Sequence, residues 1–173
     1  MAIGNKLAPN TLRDAVRTTV AAVLALLLAR LLKLPEYYWA PISAIVIIQS
    51  TIDPKTLAWQ RFAGTALGAA MGALIGTVFP ASPSNTWVYA GAIFLAGVVC
   101  VLLRFRGAYR FAAITLTIIL LIVHTRVAWI VAWHRFVEVS LGIAVALAIA
   151  LLWPVKADYL NDAEANSRPT RKN

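Results

Sequence analysis

Long apolar runs separated by short polar or Pro/Gly-containing breaks dominate the chain. The first runs from Leu12 to Leu34 and is broken at Leu34-Pro35-Glu36. The second, from Tyr37 to about Ile52, stops at Asp53-Pro54-Lys55. The third, from about Thr56 to Phe79, meets the clearest loop signal, Pro80-Ala81-Ser82-Pro83-Ser84-Asn85. The fourth is Thr86 to Leu103, the fifth Ala108 to about His124, and the sixth Val127 to Trp153, closed by Pro154. A membrane-crossing helix needs about 20 mostly apolar residues. Barrel strands would alternate apolar and polar positions, and these runs do not. The pattern predicts an all-α integral membrane protein of six transmembrane helices. Residues 1–11 precede the helical domain (12–154), and a short polar tail (155–173) follows it.

Composition agrees with this reading. Of 173 residues, 61% are hydrophobic and 13% charged, with a mean hydropathy of +0.76. A soluble domain carries about 25% charged residues. The net charge of +9 would suggest nucleic acid in a soluble protein, but no basic stripe stands apart from the spans, so no nucleic-acid partner is expected. Lys and Arg instead report orientation. With the N-terminus inside, twelve of the sixteen basic residues fall on the cytoplasmic side, which predicts both termini there. The single cysteine, Cys100, sits in an apolar run; no disulfide within the chain, metal cluster or cofactor site is expected. Val20 to Leu32 lacks a following cleavage site and reads as the first helix rather than a leader.

One pattern divides the six helices into two sets. Arg61-Phe62-Ala63-Gly64-Thr65-Ala66-Leu67-Gly68 in the third span is echoed by Arg135-Phe136-Val137-Glu138-Val139-Ser140-Leu141-Gly142 in the sixth. Arg, Phe, Leu and Gly occupy the same places in both blocks, and both blocks lie early in their spans. Three spans followed by three related spans must enter the membrane from opposite sides. The expectation is a 3+3 inverted repeat, a construction of many secondary transporters. Arg61 and Arg135 would then stand one at each mouth of any path between the repeats.

Ionisable groups inside a membrane cost about 2.5–3.5 kcal/mol at a helix centre. Arg135 and Glu138 lie one helical turn apart; they form either an ion pair within the helix or a site where Arg135 meets an anion. Asp14 and Arg17 repeat that spacing nearer the surface, where simple pairing suffices. Gly64, Gly68, Gly72 and Gly76 make a face for close helix approach, by itself a packing feature. The second and fifth spans are short, and short paired segments point to the binding region of inverted-repeat transporters. Trp39, Ser43 and Gln49 lie on the former; Arg110, Thr115, Thr117 and His124 lie on the latter or its edge. The hydroxyls can simply bond their own backbone, whereas Gln49 brings a full amide to the end of an apolar run. His124 and His134 read as solvated interfacial residues. No nucleophile–base pair or catalytic motif occurs in a suitable context, so no enzymatic activity is expected.

The order Leu12-Arg13-Asp14-Ala15-Val16-Arg17, then Leu34-Pro35-Glu36-Tyr37-Tyr38-Trp39-Ala40-Pro41, then Gln49, then Arg61-Phe62-Ala63-Gly64-Thr65 resembles the membrane unit of the fusaric acid resistance-like family. Aromatic acid exporters and plant aluminium-activated malate channels are its relatives. Arg135, Gly142 and Trp153-Pro154 also fit, so the likeness runs from Leu12 to Pro154. It implies a multi-pass protein of the bacterial inner membrane that exports organic anions, often aromatic carboxylates. Arg61 and Arg135 would attract the carboxylate and Trp39 would stack on a ring, with Glu138, Gln49, Thr65 and Arg17 as further substrate-binding candidates. Longer members carry a cytoplasmic domain or two membrane units; this chain has one unit, which implies a homo-oligomer, a dimer by preference, or a reduced member. The alternatives are an anion channel lined by the same residues and a non-transporting membrane assembly subunit with no water-accessible path.

Overall fold

The computed structural model describes residues 9–50, 52–79, 86–122 and 127–153. The expected loop at 80–85, His124, Pro154 and the polar tail lie outside the described residues. The elements are α1 (Pro9–Leu31), α2 (Trp39–Ile48), α3 (Pro54–Val78), α4 (Thr86–Leu102), a 3-10 turn (Arg106–Ala108), α5 (Tyr109–Thr117), a π-helical turn (Ile118–Ile122) and α6 (Ala128–Leu152). Among the described residues there is no strand.

Two of these helices, α3 and α6, are long and apolar enough to cross a membrane. The others fall short of the six spans expected, for identifiable reasons. Arg13, Asp14, Arg17 and Arg30 interrupt the apolar character of α1. Helix α2 covers 10 residues rather than the whole run from Tyr37 to Ile52, because Tyr37 and Tyr38 stay in turns and Gln49 already caps its end. At about 1.5 Å per residue, α2 rises only some 15 Å.

Local chemistry sets the helix ends. Asp53 caps α3: its carboxylate accepts the Thr56 N–H at 2.9 Å and the Thr56 hydroxyl at 3.1 Å, and Pro54 opens the helix. These bonds favour the ionised carboxylate and hold Asp53 below its usual range. A group whose folded value is depressed contributes stability above its unfolded value, near 3.9, and that contribution vanishes as pH falls through the folded value. Asp53→Asn keeps the acceptor but cannot titrate. The melting-temperature gap between the parent protein and Asp53→Asn should therefore close as pH falls below about 4; a gap that stays constant across that window would contradict the assignment.

Helices α1 and α4 end alike. Lys33 and Arg104 take left-handed backbone at φ 53° and 59°. Leu34 N–H bonds the Ala29 carbonyl at 3.0 Å and Phe105 N–H bonds the Cys100 carbonyl at 2.8 Å, while Lys33 and Arg104 bond back to Arg30 and Val101. Both ends are Schellman motifs. The offset that carries Lys33 onto Arg104 also carries one wholly buried face onto another, Ala21, Ala25 and Ala29 on α1 onto Ala92, Ala96 and Cys100 on α4. Helices α3 and α6 have equal lengths, and the offset from Arg61 to Arg135 carries both ends of α3 onto both ends of α6.

At the centre α3 packs on α6; α2 packs on α6 and α1, and α5 on α3 and α4. Gly76, near the end of α3, faces Ala128 at the start of α6, so these two helices run antiparallel. The core is built from small residues: Ala21, Ala25, Ala29, Ala40, Ala44 and Ala146 are wholly buried. The outer surface carries the large ones, such as Leu27, Leu31, Leu74, Phe94 and Leu152.

Candidate functional site

Glycine brings the short helices against the long ones. A Cβ on Gly142 would overlap the Ala40 carbonyl oxygen and lie 2.6 Å from the Ser43 Cβ. A Cβ on Gly68 would lie 2.5 Å from the Ala112 carbonyl oxygen and 2.9 Å from the Thr115 Cβ. The glycine face on α3 is thus a packing surface against α5, and Gly142 does the same for α6 against α2. These close crossings position the arginines two turns earlier in each long helix.

Arg135 lies with its guanidinium carbon 3.5 Å from the centre of the Trp39 ring, and Arg61 at 5.0 Å from the Phe111 ring. One offset along the chain carries Trp39 onto Phe111, Ala40 onto Ala112 and Ser43 onto Thr115. Each hydroxyl returns a bond to the residue one turn before it, Ser43 to the Trp39 carbonyl at 2.8 Å and Thr115 to Phe111 at 2.9 Å. Outside the pair, Trp59 pairs with Phe62 and Trp133 with Phe136, and Phe62 meets Phe136 at 5.1 Å.

The two arginines are only 8% and 2% exposed. The antiparallel register places each about a third of the way into its helix, roughly 10 Å apart along the axes. Both side chains are buried within the helix bundle. Arg61 Nη2 donates to Ser43 Oγ at 3.0 Å, so Ser43 does more than bond its own helix. Arg61 Nε, Arg135 Nε and Nη1, and Glu138 Oε2 are buried without a hydrogen-bond partner. Groups of this kind are costly unless something completes them.

Glu138 is wholly buried, and its Oε1 accepts the Glu36 N–H at 2.9 Å. No hydrogen bond joins Glu138 Oε2 to Arg135, so the simple ion pair within α6 gives way to a tie between α6 and the α1–α2 turn. Glu36 in turn accepts from Trp39 Nε1 at 3.0 Å. Trp39 thus has Arg135 over its ring and Glu36 at its edge.

Four expected residues, Arg61, Arg135, Glu138 and Trp39, come together here. Thr65 is buried on α3 beside Gly64. Gln49 is exposed at the end of α2, and Arg17 is buried on α1 with Asp14 as the carboxylate acting on it; neither joins the cluster. Ser43 and Arg110, expected only as residues of the short paired spans, join the site, and so do Glu36 and Phe111, which the residue pattern did not mark. The common offset from Trp39 to Phe111 and from Ser43 to Thr115 was the available signal.

Residues 24–149 match the family described as fusaric acid resistance protein-like. The chain belongs to that family. Membership makes it a membrane protein with a transport or resistance-type role. The matched stretch holds every expected site residue except Arg17. No curated protein and no solved structure matches the chain.

Proposed function

We propose that this family member is a multi-pass transporter of the cell inner membrane that exports organic carboxylate anions. All six helices, α1 and the short α2, α4 and α5 included, lie in the bilayer as a 3+3 inverted repeat, with both termini cytoplasmic. The large apolar side chains on the outer surface support this, since lipid is the solvent that suits them. So do the matching ends of α1 and α4, the matching lengths of α3 and α6, and the swapped crossings Gly68–Ala112 and Gly142–Ala40. An odd number of helices per half turns the second half over in the membrane. The short α2 and α5 resemble the discontinuous helices that line transporter sites.

The observation that carries the function is the pair of buried arginines with unpartnered guanidinium nitrogens. A carboxylate completes such a nitrogen with a charge-assisted bond. The chain works as a homo-oligomer, a dimer by preference, and needs no cofactor. In proteoliposomes, uptake should be measured with a panel of aromatic and aliphatic carboxylates. The parent protein should carry at least one, and Arg61→Gln/Arg135→Gln should fall to the level of empty vesicles while eluting as the same oligomer. Undiminished uptake by the double variant would sink the proposal. Steady single-channel current without a pH gradient would select the anion channel instead.

A further inference from the structure

The two arginine positions match in backbone and packing but not in charge. The offset that carries Arg61 onto Arg135 carries Gly64 onto Glu138, and the one that carries Trp39 onto Phe111 carries Glu36 onto Ala108. Where the Arg135 end has two carboxylates, the Arg61 end has a glycine and an alanine, with the Gly64 backbone pressed on the Ala108 carbonyl. The acids among the described residues are Asp14, Glu36, Asp53 and Glu138. Glu36 and Glu138 both act on Arg135. Asp53 caps α3 about 12 Å below Arg61, and Asp14 acts on Arg17 of α1.

The Arg61 end instead gains a second cation. Arg110 lies with its guanidinium carbon 4.6 Å from the centre of the same Phe111 ring that Arg61 faces at 5.0 Å. Arg110 is exposed and Arg61 is buried, and their charges act on each other. Phe111 holds both through its ring without neutralising either. Ser43 fixes Arg61 Nη2 and leaves Nε unpartnered. Two cations therefore surround Phe111, and among the described residues no acid lies between them. Around Trp39, two carboxyl groups face a single cation.

We propose that the two ends are inequivalent, with the substrate carboxylate seated at Arg61, Ser43 and Arg110, while Arg135, stacked on the Trp39 ring near Glu138 and Glu36, serves as a positioning residue for Trp39. This deepens the transport reading and rests on it. An anion arriving at Arg110 passes inward to the buried Arg61, where no acid among the described residues opposes it. At the Arg135 end the protein's own carboxylates occupy the electrostatic role of the anion.

The test is equilibrium binding of radiolabelled benzoate to the full chain in phosphatidylcholine nanodiscs. Arg61→Gln should weaken binding about 30-fold or more, as loss of a charge-assisted bond does. Arg61→Lys should retain part of it, and Ser43→Ala, which only frees the guanidinium, should cost about threefold. Arg110→Gln should weaken binding and flatten its dependence on salt, because that charge is exposed. Arg135→Gln/Glu138→Gln removes a cation and an anion together and should weaken binding several-fold less than Arg61→Gln does. Equal losses in Arg61→Gln and Arg135→Gln/Glu138→Gln, with flux still lost in the double-arginine variant, would overturn the inequivalence and leave the transport reading standing. No benzoate binding by the parent, together with no flux of any carboxylate, would overturn both. Unchanged binding in Arg61→Gln, Arg61→Lys and Ser43→Ala alike would also overturn the assignment.

Discussion

Gly142→Ala is expected to destabilise the protein by about 3 kcal/mol, and Gly142→Leu to yield no monodisperse protein. The new Cβ would sit on the Ala40 carbonyl oxygen, which belongs to backbone and cannot swing away. Helix α2 would have to move off α6, and with it Trp39 and Ser43. Gly68→Ala meets the Ala112 carbonyl in the corresponding place and should behave alike. Gly91, on the outer face of α4, has nothing within 4 Å. Gly91→Ala should instead gain about 0.5–1 kcal/mol from helix propensity. Reversible unfolding in mixed detergent micelles measures all three alanine variants. A Gly142→Ala protein as stable as Gly91→Ala would show that the α2–α6 crossing is looser than described.

Glu138→Ala is expected to cost about 3 kcal/mol. Two effects add. The Glu36 N–H loses its acceptor, and the buried Arg135 loses one of its two countercharges. Removing one partner of a buried charged cluster is expensive because the other remains in a medium that solvates it poorly. Glu138→Gln keeps an oxygen for the Glu36 N–H and should lose about 1 kcal/mol. The ordering, parent above Glu138→Gln above Glu138→Ala, is the signature. Identical unfolding midpoints for alanine and glutamine would mean that the Glu36 bond contributes nothing.

Much of the arrangement is legible in the residues themselves. The Arg-Phe-x-x-x-x-Leu-Gly block appears twice, and the bounds of the two helices that carry it are related by the same offset as the blocks. The block is readable because the arginine and the glycine face one short helix while the ring faces the other long helix, and each of these contacts needs fixed spacing along one helix. The start of α3 at Asp53-Pro54 is equally plain, since capping is local. The second and fifth segments read less well. Apolar runs from Tyr37 and from Ala108 look like single crossings, yet α2 stops after 10 residues and α5 passes into a π-helical turn. Hydropathy does not distinguish an apolar helix from an apolar turn.

The candidate site divides in the same way. Arg61, Arg135, Glu138 and Trp39 stand out because charge and indole are conspicuous in an apolar chain. Gln49 stands out for the same reason and lies exposed at the end of α2. Glu36, at the edge of a Pro-containing turn, looks like a surface breaker and proves to be the partner of both Glu138 and Trp39. Its tie to Glu138 depends on the chain folding back across four intervening helices, which no local pattern reports.

By itself the sequence determined that the protein is helical, that its solvent is lipid, and that charged groups within its apolar runs are few. Those properties follow from composition and from spacing along single helices. Only the tertiary structure decided which acid meets which arginine. Helices α2 and α5 cross over to the opposite long helices, so a residue's partner is set by packing at Gly142 and Gly68 rather than by its neighbours in the chain. That exchange left Arg61 beside Arg110 and brought Glu36 toward Arg135, which already has Glu138 on its own helix, so two otherwise matching positions differ in charge.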